Sequence, residues 1–186
     1  KGTAQILFMD KSALTGGPNA SLVIDRFVYD PATKQGDLNI GSTKGAFRFI
    51  GGALSKNKPV KIKTPVGTIG IRGGIAIVEI NPNGITDATF VYGEEMTVEN
   101  MNGDIQSTTE FGTSVAIIDP ELPPTPPIKI APELMAAKLS QLDAKPGTTG
   151  GAIDPPKQDV VQKKIKRKPV PSAANDTSSS GENTQE

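Results

Sequence analysis

All eight aromatic side chains lie at or before Phe111, and none follows it. Proline does the reverse: residues 1–119 hold five, and residues 120–186 hold eleven. A folded core needs bulky apolar groups to offset the entropy of ordering the chain. The core is therefore expected within residues 1–119, ending near Asp119. Residues 120–130 carry the run Pro120-Glu121-Leu122-Pro123-Pro124-Thr125-Pro126-Pro127 and are expected to form an extended, stiff linker. In residues 131–144, Pro132 suits a first helical turn, and Met135, Leu139 and Leu142 follow at helical spacing. A short amphipathic helix is expected there. So short a helix is marginal alone, so it docks on the core, docks on a partner or frays. Residues 145–186 read as a disordered polar and basic tail.

The first 119 residues read as β-structure throughout. Residues 21–29 alternate through Leu22 and Ile24, then Phe27 and Tyr29. Residues 46–50 alternate aromatic and other side chains. The run from Ile75 to Ile80 is apolar enough for a strand buried on both faces. Asn83-Gly84 and Asn102-Gly103 each sit between such runs, the strongest short hairpin signal. Residues 16–19 and 30–37 read as loops. The expected class is all-β: a sandwich, a jelly roll or an irregular solenoid, since no fixed repeat period is visible. Lys1 to Phe8 already looks like a strand in progress, so earlier strands and any export signal are expected upstream.

Composition removes several chemistries. The chain has no cysteine and no histidine, so the usual soft-metal sites and the usual Ser–His–Asp and Cys–His nucleophiles are excluded. Basic and acidic side chains number 20 each, which argues against a dedicated nucleic-acid binder. No run of about 18 apolar residues is present to cross a membrane as a helix. Asp25, Asp30 and Asp37 lack the spacing of a calcium loop and read as turn formers. Glu94, Glu95 and Glu99 read as a solvated turn rather than a glycosidase pair. No catalytic residue, metal or cofactor is expected. Lys163, Lys164, Lys166, Arg167 and Lys168 form the one dense charge cluster. They are expected to be solvated, or to make weak contact with an anionic surface.

Residues 64–74 pack one arginine among glycines and β-branched residues: Thr64-Pro65-Val66-Gly67-Thr68-Ile69-Gly70-Ile71-Arg72-Gly73-Gly74. Glycine admits close backbone approach. A nucleotide loop does not fit, because the Gly-Lys-Ser/Thr and following helix are missing. Arg72 could recognise a carboxylate or phosphate on a ligand or partner, but it is expected instead to be buried and to tie neighbouring turns together through backbone carbonyls or a carboxylate such as Asp25 or Glu79, so that Arg72→Ala costs more than a surface change.

This stretch resembles the pattern of FecR-type domains, roughly Thr-Pro-x-Ala-x-x-Gly-x-Arg-Gly-Thr. Thr64, Pro65, Gly70, Arg72 and Gly73 match it, while Gly67 and Gly74 stand where alanine and threonine are usual. Phe8 to Asn19 and Lys44 to Phe49 are similar to the family's upstream segments. Residues 91–93 and 98–103 are similar to its later strands. The resemblance covers roughly residues 2–118. It implies an all-β periplasmic or cell-surface module without enzymatic activity. Signalling members carry a sigma-factor-binding segment and a membrane helix ahead of the domain, and neither lies in these residues. The expected function is therefore a non-catalytic exported module acting through protein–protein contacts, including self-association. The alternatives are an envelope signal regulator whose other parts lie outside this chain, and a cell-wall or polysaccharide binder.

Overall fold

β4 (Gln35–Ile50), a single strand of 16 residues, organises the molecule. The computed structural model describes residues 2–143. The first half of β4 pairs with β3 (Ser21–Asp30) and, in parallel, with β5 (Val60–Thr64). Its second half pairs with β2 (Ala13–Gly16) and β7 (Ile75–Ile80). One wing continues from β5 through β6 (Gly67–Arg72) and β9 (Glu95–Asn100) to β10 (Ile105–Thr108). The other runs from β7 through β8 (Thr86–Tyr92) and β11 (Thr113–Ile117) to β12 (Ile128–Lys129). On its far side, β1 (Ala4–Leu7) borders β2. The protein is all-β, a curled mixed sheet, with two helices: α1 (Ala53–Asn57) and α2 (Pro132–Ser140).

Residues 30–37 were expected as a loop and 46–50 as a separate strand. Instead Gln35 onward already belongs to β4. Both halves feed one core, yet with opposite parity: Leu38 and Ile40 point inward first, then Phe47 and Phe49. A strand that simply alternated would put these pairs on opposite faces. The register shift between Ser21 and Leu22, opposite Lys44 and Ser42, supplies the missing residue. Gly45 follows it at φ 89°.

The two Asn-Gly hairpins form between β7 and β8 and between β9 and β10. In each, an asparagine two residues ahead stabilises the turn. Asn81 Oδ1 accepts from the backbone of Asn83 and Ile85, and Asn100 Oδ1 from Asn102 and Asp104. Asx side chains stabilise turns in this way.

The packed chain runs on past Asp119. Thr125 exchanges two hydrogen bonds with Ala116, its backbone N–H to the Ala116 carbonyl and its Oγ1 accepting from the Ala116 N–H, each at 2.9 Å. Ile130 N–H bonds the Gly112 carbonyl. Residues 120–130, expected as an extended, stiff linker, lie along the edge of β11. Proline lacks the N–H a ladder needs, but the non-proline residues between supply it. α2 then crosses the outer face of the sheet, and Leu142 beyond it is fully buried.

Candidate functional site

The stretch from Thr64 to Gly74 is a β-hairpin and the turn after it. Thr64 closes β5, and its Oγ1 donates to the Gly67 carbonyl at 2.9 Å across the Pro65-Val66 turn. Gly70 lies where a Cβ would strike the Thr97 hydroxyl on β9. Gly73, at φ 56°, donates its N–H to the Ser55 carbonyl and so ties the turn to α1. Arg72 departs from the expectation. It is 45% exposed and pairs with Glu94, Nε to Oε2 at 3.2 Å, not with Asp25 or Glu79. The reason is its place as the last residue of β6, where the strand leaves the core. An exposed pair contributes little, so Arg72→Ala is now expected to cost no more than about 0.5 kcal/mol. The urea midpoint of Arg72→Ala beside Glu94→Ala checks this.

The buried arginine is Arg48, at 1% exposure. It lies on the face of β4 opposite Phe47 and Phe49, between Thr15 on β2 and Ile77 on β7. Its Nη1 donates to Asp143 at 3.1 Å, while Nε and Nη2 are buried without a partner among the described residues. The same face carries Glu79 on β7 and Asp87 on β8, register partners. Ser114 Oγ and Thr89 Oγ1 both donate to Asp87. Lys138 of α2 reaches down to this pair, bonding Glu79, and Asp87 at 2.9 Å. The result is a polar strip under α2, with two carboxylates at one end and a guanidinium at the other.

Sequence reasoning missed this strip. The alternation of residues 46–50 does place Arg48 away from the aromatic face. Burial of that second face depends on a segment 95 residues away. Helical spacing singled out Met135, Leu139 and Leu142. Of these, only Leu142 is fully buried, while Lys138 lies deep among the carboxylates.

Burial alone disfavours a charged Lys138, but its bonds to Glu79 and Asp87 outweigh this and raise its pKa above the ordinary 10.5. A raised lysine pKa means the stabilisation is complete below 10.5 and is lost as the pH rises through the raised value. Lys138→Met strands two part-exposed carboxylates side by side, at an expected cost of about 1–2 kcal/mol. Stability of wild type and Lys138→Met in parallel pH series checks both statements. The gap should hold through neutral pH and close in strong alkali.

The remaining candidates are local. Asp30 accepts from Thr33 Oγ1 and the Ala32 N–H, which hold its carboxyl below the usual value. Asp37 is lowered by Lys58 and Arg26. Asp10, within the Phe8 to Asn19 segment, is buried. Its carboxylate accepts from Ser12 N–H, Ser12 Oγ and the Leu54 N–H at the start of α1. Among the described residues, no group of three or more acidic side chains is placed to hold a metal ion. Lys163, Lys164, Lys166, Arg167 and Lys168 lie outside the described residues.

An all-β module with this glycine-lined hairpin has known relatives. Residues 1–94 match the model of the FecR protein family, and the chain belongs to that family. FecR proteins are regulators of envelope signalling with periplasmic domains. Two crystal structures of a proposed anti-sigma factor from Parabacteroides distasonis ATCC 8503 share the fold, with TM-scores of 0.54 and 0.55 at 13% and 14% identity. Each comparison covers 74% of this chain and 60% of that protein, so the chain spans less than two thirds of its length. The comparison with curated proteins returns no match. No helix among the described residues is long and apolar enough to cross a membrane.

Proposed function

We propose that this chain is the extracytoplasmic, non-catalytic module of a FecR-type regulator, relaying an envelope signal through protein–protein contact. Family membership carries the reading, and the shared fold with a proposed anti-sigma factor supports it. The family-pattern residues Thr64, Pro65, Gly70, Arg72 and Gly73 serve the hairpin and its turn rather than a reaction. The family pattern therefore marks the scaffold, and recognition falls to surfaces elsewhere.

The test is genetic. Deleting codons 2–143 in frame from the native gene should change transcription of a small, coherent gene set. An unchanged transcriptome under envelope stress and nutrient limitation would remove the regulatory reading.

A second reading, self-association as an assembly module, draws on the sheet edges. Among the described residues β3 pairs only with β4, and it exposes Val23, Ile24 and Val28 along ten residues. Such an edge is a template for strand pairing. Light scattering of the purified chain across a concentration series separates the two. A monodisperse monomer counts against assembly.

A further inference from the structure

Segment 138–143 lies across the outer face of the sheet like a bound peptide. Lys138 sits over Glu79 and Asp87, Leu142 fills the surface beside Gly17, and Asp143 meets Arg48. The face therefore reads a pattern: a basic residue, then an apolar and an acidic residue four and five positions on.

The internal occupant fits this face incompletely. Arg48 is buried, yet among the described residues only Nη1 is engaged, and Nε and Nη2 have no partner there. Asp143 remains 40% exposed. Guanidinium normally pairs with carboxylate in a two-pronged fashion, and buried donors are normally satisfied. The hold on α2 is also thin. Its first residue is preceded by Ala131, which makes no side-chain cap, and Leu134 stays exposed. A nine-residue helix has little stability of its own.

We propose that this face, from Asp87 across to Arg48, is a peptide-binding groove for a partner protein. The partner segment carries the same basic–apolar–acidic pattern and displaces α2. Its carboxylate engages the Nε–Nη2 edge of Arg48, which the internal aspartate leaves unused. α2 is then an internal competitor that sets the threshold for the partner. The inference holds whether the module signals or assembles, because it rests on the face and not on the family.

The test uses the full chain and a fluorescein-labelled peptide with the sequence of residues 132–143, read by anisotropy. Asp143→Asn weakens the internal competitor, so it should bind the peptide roughly tenfold more tightly than wild type does. A peptide with its lysine and terminal aspartate exchanged should not bind. Arg48→Lys keeps the charge but loses the guanidinium fork, and should lose binding while melting as a folded protein. If Arg48→Lys fails to fold, the exchanged peptide still decides the matter. No saturable binding to Asp143→Asn, or equal binding of the exchanged peptide, overturns the proposal. So does a wild-type dimer that Lys138→Met dissociates, since that assigns the face to a second copy.

Discussion

Asp10→Ala is expected to destabilise the protein by about 3 kcal/mol, because it removes one acceptor from three donors at once. Asp10 is 1% exposed. Its Oδ1 accepts from the Ser12 N–H at 3.0 Å and from Ser12 Oγ, and its Oδ2 from the Leu54 N–H at 3.2 Å. Its backbone carbonyl also takes the Ala53 N–H at 2.8 Å, and this bond survives the substitution. The turn between β1 and β2 is thus joined to the start of α1 through one side chain. Ser12 is as buried as Asp10, so its donors are not exposed to bulk solvent. Asp10→Asn keeps one acceptor oxygen and should lose less. Guanidinium denaturation of wild type and both variants ranks them. A loss of under about 1 kcal/mol in Asp10→Ala would show that the turn and helix hold without this joint.

What the sequence could and could not disclose divides along the range of the interactions. The hairpins at Asn83-Gly84 and Asn102-Gly103 are local, and two residues announce them. The run from Ile75 to Ile80 reads as buried on both faces, and both are covered: Ala76 and Val78 belong to the main core, while Ile77 is buried on the other face. β4 was harder, because its parity change lies in a bulge and a bulge leaves no periodic mark. Arg48 and Arg72 invert the expectation for the same kind of reason. Arg72 sits among glycines that suggest close packing, but the strand ends there and the side chain meets solvent and Glu94. Arg48 sits in an ordinary alternating strand. It is buried on a face to which Asp143 returns from the far end of the described chain to meet it. No local pattern carries that information. The prolines of residues 120–130 argue for an extended, stiff linker, and nothing local to them announces that Thr125 and Ile130 bond to β11 and the loop before it.

Gly74→Thr installs the residue usual in the resembled family pattern, and it should nevertheless destabilise this chain by about 2–3 kcal/mol. The backbone at Gly74 runs against the end of β8. A Cβ there would fall inside the contact distance of the Tyr92 carbonyl oxygen and 2.9 Å from the Gly93 Cα. Both obstacles are backbone, so neither can rotate away. Gly74 O also accepts the Gly51 N–H at 2.8 Å, so a shift of this turn would strain the joint to β4 and α1. Gly73 provides the contrast. Its φ of 56° disfavours a side chain, but the nearest group to a Cβ there is the flexible Glu94 side chain. Gly73→Ala should therefore cost about 1 kcal/mol, the ordinary penalty for a left-handed position. Thermal and urea melts of Gly74→Thr, Gly74→Ala and Gly73→Ala place the three in order. Threonine and alanine at position 74 should be similarly harmful, because the clash begins at the Cβ that both share. Were Gly74→Thr to melt with wild type, the backbones of this turn and of β8 would have to separate at little cost. The close approach would then be incidental to the fold rather than a condition of it.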